Sequence, residues 1–440
     1  MTELLSVMPR YKAYKDSGVA WIGEIPKSWV LIRGSYIFKI INKRSKNGNE
    51  ALLTVSEHHG VKLRAESNVN MFMAESYVGY KICYPGDLVI NSLWAWSRGL
   101  GFSNIHGIVS TAYSVFRPDT FKYDKSFLNY LLRTKKYVDQ YFIASKGIWI
   151  SRLQLSDSAF LKIPILSPPI SEQTTIANFL DCKTTKIDQA VTIKEKQIQL
   201  LKERKQILIQ TAVTKGLDPN VPMADSGVEW IGQVPSHWAV KRLKYLFTEC
   251  NKRTETGSET LFSLRMEKGL IPHNEVSDKH ISDENLINYK LVFPGQLVMN
   301  RMRASIGIFG LATDSGLVSP DYAVFNTHTQ ICAEYYLLMF KTKLLGTQFR
   351  LNSRGMGTGS SGFMRLYTEN FGDIKIPCPS LKEQKSIVSH IHTQSAKIDK
   401  AIAIQEQIIE KLKEYKATLI NAAVTGKIKV PDPAESKVVA

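Results

Sequence analysis

The residues most suggestive of chemistry run from Gly355 to Gly362, GMGTGSSG, where Gly357, Gly359 and Gly362 satisfy G-x-G-x-x-G. A dinucleotide cradle of that spacing needs a strand before it, a helix after it and an acidic residue about 20 positions on. Here the lead-in is QFRLNSR, the exit is FMRLYTENFGDIKIP, and Pro377 interrupts soon after. A Gly/Ser loop flanked by Arg350, Arg354 and Arg365 suits close contact with phosphates better. SPPI at Ser167 to Ile170 has the two prolines of an adenine amino-methylation motif, but Ser and Ile stand where an acidic or Asn residue and an aromatic belong. There is no G-x-x-x-x-G-K-[ST] phosphate loop, and His58-His59 has no second His/Asp/Glu cluster at ligand spacing. The five cysteines (Cys83, Cys182, Cys250, Cys332, Cys378) form no C-x-x-C pair and are expected to be reduced thiols. No catalytic group, cofactor or metal is expected.

What remains is binding. A formal net charge of +17 favours a polyanionic partner such as nucleic acid, and that charge is spread along the chain with no basic tail. At 440 residues, two or three domains are expected, and 44% apolar with 22% charged residues describes a folded, soluble chain. No apolar run approaches a membrane span, and MTELLSVMPRYKAYK lacks the apolar core of a secretory signal, so a cytoplasmic location is expected.

The elements that must position any binding residues come in duplicate. DSGVAWIGEIPKSWV from Asp16 returns as DSGVEWIGQVPSHWAV from Asp225, 209 positions on. YPGDLVIN at Tyr84 matches FPGQLVMN at Phe293, and VSTAYSVF at Val109 matches VSPDYAVF at Val318, at the same offset of 209. The offset then slips to 211: SEQTTI at Ser171 matches KEQKSI at Lys382, and KIDQA at Lys186 matches KIDKA at Lys397. So long a period means two similar domains, not a solenoid.

Each copy begins with β-branched and aromatic runs such as GDLVIN and YSVF, with helical stretches such as that near Phe127 to Tyr141, and leaves through a proline-rich exit. It ends in a long segment free of glycine and proline. There Ile176, Leu180, Ile187, Ala190, Ile198, Leu201, Leu208 and Ala212 alternate mostly at three and four positions, and Ile387 to Ala423 repeat the pattern. A narrow stripe sustained that long is a coiled-coil seam, closed by Gly216 and Gly426. The expected fold is α+β: two mixed α/β domains joined by two long antiparallel coiled-coil helices, internally duplicated. Its boundaries are read as 1–169, a central helix 170–217, 218–379, a C-terminal helix 380–427 and a tail 428–440. A second apolar edge on the helices (Ile193, Leu200, Ile207; Ile404, Tyr415) is available to outside partners.

Positions that the copies share, such as Trp21, Gly23, Pro26, Trp29 and Asn91, read as scaffold. Where matched loops disagree, the copies do different work. After the shared asparagine, one copy reads SLWAWSRGLGFSN and the other RMRASIGIFGLA, so Trp94, Trp96 and Arg98 give way to Arg303, Ser305 and Gly307, with Arg301 added. Arginine grips guanine edges bidentately, and exposed aromatics meet thymine methyls. With Lys146 and Arg152 in one copy and Arg354 and Arg365 in the other, these nine side chains are the candidate DNA contacts. The alternative for the tryptophans is a place in the core.

W-I-G-x-[IV]-P-x-x-W, then P-G-x-L-V-x-N, then [IV]-P-x-x-x-x-x-E-Q leading into a K-I-D helix, all twice over, resembles the specificity (S) subunit of Type I restriction–modification systems. The resemblance covers essentially the whole chain. It implies two target-recognition domains, each reading half of a split asymmetric site on double-stranded DNA, and paired helices that set the gap. It also implies docking of two methyltransferase (M) subunits, with restriction (R) subunits in the complete assembly, and no catalysis by this subunit. Two other readings are an S-like subunit of a fused nuclease–methylase and a coiled-coil adaptor that does not touch DNA.

Overall fold

A computed structural model of the chain describes residues 8–57, 60–67, 74–149, 152–278, 281–355 and 364–431. His58-His59 and nearly all of the Gly/Ser run after Arg354 lie outside the described residues. The chain divides into two compact units, Met1–Lys194 with Gln407–Ala440, and Glu195–Glu406. Each unit therefore holds part of both long helices.

Unit 1 is built on a four-stranded antiparallel sheet of β1 (Phe38–Ile40), β2 (Leu88–Asn91), β3 (Leu100–Phe102) and β4 (Tyr113–Pro118), in the order β1–β4–β2–β3. The apolar run at Leu88–Ile90 is continuous because both faces of the sheet are covered. Leu88, Ile90 and Phe116 enter the main core, while Val89 and Val115 join Leu53, Cys83 and Val109 on the other face. The helical stretch near Phe127 to Tyr141 is two helices, Lys125–Leu132 and Lys135–Ala144. They break at Arg133-Thr134, where the Thr134 hydroxyl donates to the Leu131 carbonyl at 2.8 Å. The proline-rich exit is a strand, Pro164–Ser167, paired with Val30–Arg33. Trp29 of the repeated opening phrase is fully buried, edge-on to Phe127.

Unit 2 repeats this plan with β5 (Phe247–Cys250), β6 (Leu297–Asn300), β7 (Phe309–Leu311) and β8 (Tyr322–Thr327), ordered β5–β8–β6–β7. Leu297, Met299 and Phe325 face one cluster, and Val298 and Val324 the other. The exit strand Lys375–Cys378 pairs with Ala239–Arg242.

The central helix spans Ile170–Lys215 and the C-terminal helix Leu381–Val424. The two run antiparallel. In unit 1, Ile176 and Leu180 share a core with Leu419 and Ala423, and Lys416 reaches Asp188 at 2.7 Å. In unit 2, Ala212 and Val213 share a core with Ile387 and Ile391, and Lys205 reaches Asp399 at 2.6 Å. The glutamine of the E-Q motif is the staple at each helix start. Buried Gln173 donates to the Pro168 carbonyl at 2.8 Å and accepts from the Asp124 N–H at 3.0 Å. Gln384 does the same with Pro379 at 2.8 Å and Cys332 at 2.7 Å. Gly216 and Gly426, just past the helix ends, adopt the left-handed φ of 78° and 71° expected of helix stops. Among the described residues no helix is long and apolar enough to cross a membrane.

Candidate nucleic-acid interface

The divergent turns sit on matched frames. Asn91 ends β2 and its Oδ1 accepts the Leu93 N–H at 3.2 Å; Asn300 ends β6 and accepts the Met302 N–H at 3.1 Å. Each asparagine thus orders the turn that follows it, and a short 3-10 helix completes that turn, Ala95–Ser97 in unit 1 and Ala304–Ile306 in unit 2.

On the unit 1 turn, Trp94 is 54% exposed and stacks on half-buried Trp96 with ring centroids 5.6 Å apart. The Trp96 indole N–H donates to the Leu93 carbonyl at 2.8 Å. The pair is therefore a surface platform, not core filling. Arg98 ends the 3-10 turn with a left-handed φ of 58°; Gly307 takes the same place in unit 2 with φ 78°. A left-handed arginine stores strain of about 1–2 kcal/mol that glycine avoids, and such outliers gather at functional sites. Beneath the turn, Arg133 donates to the Leu100 and Glu57 carbonyls. Burial, and then Arg98, press the Arg133 guanidinium below its ordinary pKa.

A second loop borders each turn. In unit 1, Lys146 and Gln154 exchange backbone hydrogen bonds of 3.0 and 2.9 Å, and the Leu155 N–H donates to the Ser92 carbonyl at 3.0 Å. Between them Ile148 and Trp149 are 94% and 70% exposed, and Lys146 and Arg152 are exposed too. In unit 2, Arg354 and Arg365 exchange the equivalent bonds at 2.9 and 2.8 Å, and the Leu366 N–H donates to the Arg301 carbonyl at 2.9 Å. The structure thus gathers Trp94, Trp96, Arg98, Lys146 and Arg152 around one turn, and Arg301, Arg303, Arg354 and Arg365 around the other.

Those side chains are not equivalent. Arg303 and Arg354 are exposed, whereas half-buried Arg365 is paired with Asp321. Arg301 turns inward, with Nη2 2.5 Å from Glu249 and 3.1 Å from the Thr368 hydroxyl. The sequence reading missed Trp149 and Ile148, although the loop was in view, because an apolar loop tip looks like a buried one until a fold is known. It missed Glu249 because Ile40 occupies the matched position.

On the helices, Ile193, Leu200, Ile207 and Ile404 are exposed, while Tyr415 is half-buried against the unit 1 core. The stripe continues at intervals of seven only on the central helix; Lys411 and Thr418 stand where the C-terminal helix would repeat Leu200 and Ile207.

Among the described residues no group of three or more His, Cys, Asp or Glu is placed to hold a metal ion. Two copies of one strand-rich unit, with unlike turns and an antiparallel helix pair, define an internally duplicated α+β architecture. Residues 235–414 match the family model for the Type I restriction modification DNA specificity domain. The chain is 26% identical over 358 residues to the Type I restriction enzyme MjaVIII specificity subunit of Methanocaldococcus jannaschii, covering 77% of this chain and 78% of that protein. It is 23% identical over 420 residues to the EcoKI specificity subunit of Escherichia coli, covering 88% and 85%. Among solved structures, a chain described in a study of complex assembly and conformational transition of the type I R-M system aligns with TM-score 0.65 at 14% identity, covering 91% of this chain and 98% of that one. The HsdS subunit of Thermoanaerobacter tengcongensis aligns with TM-score 0.52 at 16% identity, covering 92% and 98%; both likenesses bear on the fold. Residues 235–414 thus match the DNA specificity domain, and over most of its length the chain is similar to specificity (S) subunits of Type I restriction–modification systems.

Proposed function

We propose that this subunit reads a bipartite, asymmetric site on double-stranded DNA, one half with each recognition domain (1–169 and 218–379). The paired helices (170–217 and 380–427) fix the gap and dock two M subunits, R subunits complete the assembly, and the chain itself supplies no catalytic group. The observation that carries this reading is the contrast between the two turns. One frame presents Trp94, Trp96 and left-handed Arg98, and the same frame in the other copy presents Arg303. Unlike readers on like scaffolds suit unlike half-sites. Lys146, Arg152 and Arg354 are proposed to meet the phosphate backbone, and the exposed stripe of Ile193, Leu200 and Ile207, with Ile404, to meet the M subunits.

The test is to express the chain with its methyltransferase partner and sequence the methylated adenine motif. Trp94→Ala is expected to relax one half of the motif and Arg303→Ala the other. Retention of both halves in both variants would refute the assignment. DNA-independent assembly without any motif would favour the adaptor reading.

A further inference from the structure

Beneath the unit 2 turn lies a charged cluster that unit 1 lacks. Glu249, on β5, receives Arg301 at 2.5 Å, Lys290 at 3.2 Å and the Thr368 hydroxyl. Lys290 is nearly fully buried and also donates to the Tyr322 carbonyl at 2.8 Å. The matched place in unit 1 is known from register, because Ile40 faces Phe116 as Glu249 faces Phe325. There Ser92 stands for Arg301 and Asp157 for Thr368, while Lys81 keeps the donation to the Tyr113 carbonyl at 2.6 Å. The space is an open groove of about 560 Å³ lined by Ile40, Lys81, Ser92, Ser114 and Asp157 among others.

The fold therefore closes without Glu249 and Arg301. Partly buried charges need their partners, because desolvation offsets much of what pairing contributes, so stability alone is a weak reason for the cluster. What it does touch is the segment that follows the bridge between Arg354 and Arg365. The Arg301 carbonyl holds Leu366, the Arg301 side chain holds Thr368, and the neighbouring Arg365 is paired with Asp321. The loop rooted at Arg354 and Arg365 is three residues longer than its counterpart between Lys146 and Gln154.

We propose that Glu249 is a positioning residue for sequence reading by unit 2. By fixing Arg301 and Thr368 it fixes the backbone bridge between Arg354 and Arg365, so those two arginines and the adjoining Arg303 turn meet DNA in one geometry. Arg301 on this account holds the reader and does not itself read. The proposal rests on the DNA-reading function proposed above.

The experiment uses the full chain co-expressed with its methyltransferase partner, read by methylated-adenine sequencing and by thermal melting of the purified complex. Glu249→Gln removes the charge. A double variant, Glu249→Ile with Arg301→Ser, installs the unit 1 arrangement and leaves no unpaired guanidinium. Both are expected to raise methylation of sites mismatched in one half of the motif by about tenfold or more, the scale of one lost base-pair discrimination. The other half should stay intact, the melting temperature of the double variant should stay near that of the parent, and Glu249→Asp should restore most of the fidelity. A faithful motif in the folded double variant would overturn the proposal, and so would equal relaxation of both halves. Failure of the unaltered chain to direct any motif would overturn the underlying function instead, so the two failures are distinguishable.

Discussion

At the scale of single residues, Arg98 and Gly426 make opposite predictions from the same backbone region. Arg98 holds a left-handed conformation where the other copy uses glycine. Arg98→Gly should therefore leave stability within about 1 kcal/mol of the parent, by denaturant melts, because relief of strain offsets added chain entropy. DNA affinity should still fall, by about 1–3 kcal/mol if the guanidinium contacts a base. Equal affinity for the parent and the variant would remove Arg98 from the interface. Gly426 is bound by packing as well as by φ: a Cβ there would lie 2.4 Å from the Pro26 ring, whereas at Gly216 the nearest atom is 3.3 Å away on Trp238. Gly426→Ala should thus destabilise unit 1 by about 1–3 kcal/mol, more than Gly216→Ala destabilises unit 2, as read by melting. The scaffold role of Trp29 and Gly426 was legible in the sequence because both copies repeat them. The inward turn of Arg301 was not, because its partner Glu249 is about 50 residues away on another strand and the other copy carries no such pair.

At the scale of elements, the long helices were the most legible part of the chain. Their period survives the change from buried ends, where Ile176 and Ile387 are fully covered, to half-buried middles such as Ile198. The break at Arg133-Thr134 escaped the sequence reading because the apolar spacing runs through it; the Thr134 hydroxyl, bonding back to Leu131, ends the first helix. The E-Q motif gained a physical meaning only with the structure. Gln384→Leu should leave the Cys332 N–H and the Pro379 carbonyl without their partner, for a loss of about 1–3 kcal/mol in the melting of unit 2. The exposed stripe predicts the reverse pattern. Leu200→Glu touches no core and should leave melting unchanged while weakening capture of the methyltransferase partner; an unaltered complex by size-exclusion chromatography would remove the stripe from the docking surface.

At the scale of the whole molecule, the proposed ruler and the charge cluster each give a measurable response. Inserting one heptad in each long helix adds about 10 Å of helix, or roughly three base pairs of B-DNA. The methylated motif should keep both halves and widen its gap; an unchanged gap would sink the ruler. Acid should act on unit 2. Burial raises the Glu249 carboxyl, but the Thr368 hydroxyl, Arg301 and Lys290 outweigh it and hold its pKa below 4.5. A carboxylate depressed in the folded state contributes stability that is fully present above its unfolded pKa and is lost as pH falls through the folded value. Melting of the parent should therefore lose more stability below about pH 4 than melting of the Glu249→Ile, Arg301→Ser variant.

The two ion pairs between the long helices carry a consequence for the two halves of the chain. Asp188 and Asp399 occupy one position of the repeat, and Lys205 and Lys416 another. Each unit joins the aspartate of one copy to the lysine of the other. The same two positions of the repeat thus supply both bridges. A change at any one of the four residues unbalances one bridge and leaves its twin standing, so the two halves of the chain serve as each other's control.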